Sequence, residues 1–90
     1  MTTENKVLRL LRVFSDIKQK DFARLIEIEV GELSNIERGK RAVTENRLEQ
    51  YATVFKCSRE DLQGLIERCD QAKSQDGFHR EMFRFLETTF

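Results

Sequence analysis

The chain has 90 residues, 39% of them hydrophobic and 36% charged, with no proline and only four glycines. That length bounds it to one small domain, and the scarcity of turn residues argues against a hairpin-rich β fold. Sixteen Lys and Arg balance sixteen Asp and Glu, so the formal net charge is zero, which sets the chain apart from the strongly basic nucleic-acid binders.

The charge is nevertheless uneven, at +2 over residues 1–60 and −2 over residues 61–90. No apolar run approaches the ~20 residues that a membrane span needs. The polar start Met1–Asn5, with no apolar stretch behind it, gives no sign of a secretory leader. Cys57 and Cys69 have no metal-ligand spacing and no His nearby. Cys57 follows Val54 and Phe55, so a buried free thiol in a reduced, cytoplasmic setting is expected. A single His, no Gly-rich phosphate loop and no Cys–His pairing leave little for catalysis, and no metal or cofactor is expected.

In chain order, residues 1–5 read as a frayed terminus. The run KVLRLLRVF then repeats apolar residues at helical spacing (Val7, Leu11, Phe14), broadened by Leu8 and Leu10. Ser15 and Asp16 interrupt it. KQKDFARLI places Phe22, Leu25 and Ile26 on one face with the small Ala23 beside them. After the polar EIEVGE, Leu33 and Ile36 share a face, and Gly39 stands where a helix would stop. Thr44 is a good N-cap for ENRLEQYATVF, with Leu48, Tyr51, Ala52 and Phe55 inward. Ser58 and Asp61 have capping-box spacing ahead of Leu62, Leu65, Ile66 and Cys69. A polar joint, QAKSQDG, leads to a last helical segment, FHREMFRFLETTF. The expectation is an all-α chain of five short helices plus a terminal one, divided as 1–73 and 74–90.

Two short helices about four residues apart, the first with a small residue on its inner face, suggest a helix-turn-helix. The run from Leu8 to Leu62 resembles the lambda-repressor-like (Xre-type) DNA-binding family over about two-thirds of the chain. Its most specific pieces are KQKDFA, LSNIERGKR and FKCSREDL. The resemblance implies an ion pair between Arg12 and Glu37. It implies a second paired helix in the major groove, with base contacts from Val30, Gly31, Glu32 and Asn35 and with Ser34 close by. It also implies phosphate contacts from Arg38, Lys40 and Arg41 after that helix, and from Gln19 and Lys20 at the start of its partner.

The chain departs from the family pattern at the turn, where Glu27 replaces the usual Gly, and between the first two helices, where Asp16 does. If the turn geometry is kept, Glu27 adopts a positive φ at a cost on the order of 1 kcal/mol. Glu27, Glu29 and Glu32 also bring three acids to the face meant for DNA. Two readings follow: the acids reject wrong sites, or the helix pair is a protein-interaction module of antitoxin-like or anti-repressor kind. In the terminal segment Phe78 and Met82 are expected to close the core, and Phe83, Phe85, Leu86 and Phe90 to build a homodimer seam. The first reading is then a dimeric, sequence-specific repressor of double-stranded DNA.

Overall fold

The computed structural model of the chain describes residues 2–72 and 74–89. Among these residues six helices follow one another, α1 Thr3–Phe14, α2 Gln19–Leu25, α3 Val30–Glu37, α4 Glu45–Val54, α5 Arg59–Gln71 and α6 Gln75–Thr89. Among the described residues there is no strand. The first helix starts earlier than its apolar pattern implies. Thr2 caps it by accepting from the Asn5 N–H at 3.3 Å, so residues 3–5 form an ordered first turn.

The ends of α1, α2, α3 and α4 share one device. Asp16, Glu27, Gly39 and Lys56 all have φ between 57° and 78°. Each follows the last helical turn, and the amide pairs Asp16→Val13 with Ile17→Arg12, Glu27→Arg24 with Ile28→Ala23, Gly39→Ile36 with Lys40→Asn35, and Lys56→Thr53 with Cys57→Ala52 tie off the final carbonyls. This is the Schellman closure, in which a left-handed residue turns the chain and an apolar residue behind it docks on the helix. Ile17, Ile28 and Cys57 fill that docking role and pack against the core. Glu27 therefore carries the positive φ that keeping the turn demands, and Lys56 does the same at a position the sequence pattern does not flag.

The core sits among α1, α2, α3, α4 and α5, with Phe22 packed on Tyr51 at 4.8 Å and on Phe55 at 5.8 Å between ring centroids. Such aromatic pairs are worth about 0.5–1.5 kcal/mol each beyond their burial. The α6 helix lies on α5 and α1 and sends Phe78, Met82 and Phe85 into the same core. Ser74 helps to start it by accepting from the Gly77 N–H at 3.0 Å.

Three expectations are corrected here. Leu25 is exposed, since α2 turns only Phe22, Ala23 and the following Ile26 inward. Cys57 is half-buried, while Cys69 is buried. Phe85 is enclosed in the chain's own core and so is taken from any seam, because it lies one heptad after Phe78 on the face that meets α5. Burial pushes the Cys69 thiol up to about 11, with Glu81 adding to the shift, and burial also raises Cys57. Both thiols stay protonated near neutral pH and are poor nucleophiles.

Candidate nucleic-acid interface

The site begins with a buried carboxylate. Glu37, in the last turn of α3, is 2% exposed. Arg12, from the last turn of α1, donates to it twice, Nε to Oε2 at 2.6 Å and Nη2 to Oε1 at 3.0 Å. Gln19, the first residue of α2, adds a third donor, Nε2 to Oε1 at 2.9 Å. The remaining arm of the guanidinium, Nη1, holds the Ile17 carbonyl at 2.7 Å in the loop between α1 and α2. A forked pair with further hydrogen bonds to both partners is the geometry in which a buried charge is tolerated. The neighbouring Tyr51 hydroxyl is buried without a hydrogen-bond partner among the described residues. Burial raises its pKa, and the charge of Glu37 raises it further.

Gln19 thus has an internal partner. Its carboxamide faces Glu37 rather than solvent, and the side chain is half-buried. Lys20 beside it is exposed. The start of α2 is capped by the backbone of Lys18 and that of α3 by Glu29, in both cases without a side-chain acceptor. By contrast Thr2, Thr44 and Ser58 all cap their helices with hydroxyls, Ser58 in a complete capping box with Asp61. Within the helix pair, neither α2 nor α3 uses a side-chain cap for its first-turn amides.

On α3 itself, Val30 and Gly31 are exposed, Ser34 and Asn35 are half-buried, and Leu33 and Ile36 anchor the opposite face. Gly31 has open space where a Cβ would stand, with nothing within 4 Å. Glu32 is turned aside. Its Oε1 accepts from Arg47 Nη2 of α4 at 3.0 Å, an ion pair that is partly open to water. Just beyond α3, Arg38, Lys40 and Arg41 are all exposed around the left-handed Gly39.

What holds that cationic loop is barely legible in the sequence pattern. Asn5, buried in the first turn of α1, donates through Nδ2 to the Ile36 carbonyl at 2.6 Å and to the Arg41 carbonyl at 3.3 Å. The Thr2 hydroxyl donates to Asn5 Oδ1 and fixes which way the amide faces. A polar residue ahead of an apolar run was the only available signal, and it reads equally as a loose terminus.

Residues 8–62 match the helix-turn-helix family. The chain belongs to that family. It is of the lambda-repressor-like (Xre) type, with one further helix, α6, behind the matched region. The family comprises DNA-binding regulators rather than enzymes. No curated protein and no solved structure matches the chain. No helix among the described residues is long and apolar enough to cross a membrane, and among the same residues no group of three or more His, Cys, Asp or Glu could hold a metal ion.

The helix-turn-helix geometry depends on the Glu37 cluster, and that dependence is measurable. Arg12→Met should leave a buried, unpaired carboxylate and lower the unfolding free energy by about 3–5 kcal/mol in urea denaturation. The double replacement Arg12→Met with Glu37→Met should cost much less, because no charge is then stranded.

Proposed function

We propose that the chain is a sequence-specific regulator of double-stranded DNA, a cytoplasmic homodimeric repressor that works by occluding an operator. The observation that carries the reading is the exposed set Arg38, Lys40 and Arg41, placed directly beyond a helix whose outward face is open. In this reading those cations and Lys20 meet phosphates, which sets position and affinity. Val30 touches a thymine methyl, Asn35 bonds an adenine edge, and Ser34 lies near the same bases. The zero net charge is no obstacle, because Glu37 is buried against Arg12 and Glu32 is paired with Arg47.

The competing reading, a helix-turn-helix turned to protein binding, draws on the exposed acids Glu27 and Glu29 at the turn. The two readings part under salt. Duplexes selected from a random pool should bind with log affinity falling against log salt at roughly −0.9 per neutralised phosphate. Changing Arg38, Lys40 and Arg41 together to Glu should abolish binding while the circular dichroism and thermal midpoint stay close to the parent. Unchanged affinity in that variant would sink the phosphate assignment.

Gly31 gives a second test, with effects of opposite sign. Nothing inside the molecule needs a glycine there, since a Cβ would meet open space. Gly31→Ala should therefore raise stability, by up to about 1 kcal/mol. If α3 lies close against base edges, the added methyl should weaken binding to the selected duplex by roughly tenfold, or about 1.4 kcal/mol. A variant that gains stability and keeps its affinity would place the groove contact elsewhere.

The dimer of this reading uses α6. Phe83 is 49% exposed and stacks on Phe14 at 5.0 Å, and Leu86 is half-buried beside the core. Phe90, the other residue expected in the seam, lies outside the described residues. Phe83→Asp should leave a folded monomer by sedimentation equilibrium at concentrations where the parent is a dimer. A parent that sediments as a monomer throughout would remove the dimer from the proposal.

A further inference from the structure

Arg47 lies on α4 and is not itself among the positions that the family resemblance assigns to DNA, yet its guanidinium touches the start of α3 directly and the end of α2 through Gln50. On one side Nη2 donates to Glu32 Oε1, in the first turn of α3, at 3.0 Å. On the other, Nη1 donates to Gln50 Oε1 at 2.8 Å. Gln50 passes the contact on, with Nε2 donating to the Ile26 carbonyl at 3.3 Å. Ile26 closes α2 and immediately precedes Glu27, which holds the turn at a φ of 58°. The chain of contacts therefore runs from the end of α2, through two side chains of α4, to the start of α3.

The magnitudes indicate what such a chain is for. The Arg47 and Glu32 side chains are 24% and 33% exposed, and an ion pair that open contributes about 0–1 kcal/mol to stability. Its directional effect is larger than its energetic one. Glu32 stands one residue after the exposed Gly31, on the helix that carries Val30 and Asn35. An unpaired carboxylate there would extend toward the same surface and repel phosphates. Paired with Arg47, it is neutralised and drawn toward the groove between α3 and α4, which Arg47, Gln50 and Glu32 line together.

We infer that Arg47 is a positioning residue for the base-reading helix. It holds Glu32 off the duplex-facing surface and, through Gln50, fixes the turn at Ile26, so that α3 is presented at one angle with its acidic first turn neutralised. The inference rests on the DNA-binding reading above and deepens it, assigning the discrimination between duplexes partly to a residue that touches no nucleotide.

The test is a cycle of Arg47→Gln, Glu32→Gln and the double variant. Affinity is measured for the selected duplex and for a random-sequence duplex over a range of salt, and amide hydrogen exchange of residues 27–32 is followed without DNA. Arg47→Gln should speed that exchange and weaken binding to the selected duplex by about tenfold, with the salt slope kept. Adding Glu32→Gln should recover most of the lost affinity, the non-additivity expected of two residues in contact. A slope shallower by about 0.9 with no recovery would make Arg47 an ordinary phosphate contact and overturn the proposal. So would Glu32→Gln alone relaxing the preference at one base pair, because Glu32 would then be a reader. Should the parent bind no duplex, the DNA reading falls by itself. Unaltered exchange in Arg47→Gln would overturn the bracing role whether or not DNA binds.

Discussion

A carboxylate almost wholly removed from water sets the geometry of this molecule. Glu37 ends the exposed helix of the pair, and its three donors come from the end of α1 and the start of α2. An isolated charge in that position would cost several kcal/mol, so the three helices cannot slide past one another without stranding it. Few interactions in a chain of this size constrain so many elements at once. The apolar core supplies the bulk of the cohesion, but it is non-directional. Glu37 adds direction, and the direction it fixes is that of α3.

Around that point, short-range devices carry the geometry outward to the surface. The repeated left-handed closures at Asp16, Glu27, Gly39 and Lys56 end four helices in tight turns. Only one of the four uses glycine, so the other three hold a conformation that side chains disfavour by about 1–2 kcal/mol per residue. Aspartate bears this best, since its short polar side chain can bond locally. Beyond Gly39 the chain would be free to wander, but Asn5 holds the carbonyls of Ile36 and Arg41. The cationic loop is thereby tethered at both ends by a side chain on α1.

The same packing changes the effective charge of the surface. From Glu27 to Arg41 the chain carries four acids and three cations. In the fold Glu37 is consumed by Arg12, and Glu32 is matched by Arg47, while Arg38, Lys40 and Arg41 stay in water. What an approaching polyanion meets beyond α3 is thus more positive than the composition implies, because interactions between exposed charges reach only about a Debye length, the exposed acids Glu27 and Glu29 stand before the helix rather than after it, and the buried Glu37 and half-buried Glu32 already have cationic partners within 3.0 Å. Formal net charge was a poor guide here for that reason.

What the sequence determined by itself is local. The helical repeat of Val7, Leu11 and Phe14, the caps at Thr44 and Ser58, the stop at Gly39 and the motif runs that mark the family all lie within a few residues of the structure they specify, and the six helices follow from them. Tertiary structure decided where the polar side chains went. Gln19 and Glu32 read from the sequence as contacts to DNA, and only the arrival of α3 and α4 beside them supplies their internal partners Glu37 and Arg47. Asn5 reads as loose chain until the end of α3 packs over it, and Phe85 as a seam residue until α6 closes on α5. A period reveals which face is apolar, but a hydrogen bond is made with whichever partner folding brings within about 3 Å, and that partner lies 15 to 36 residues away for Glu32, Gln19 and Asn5.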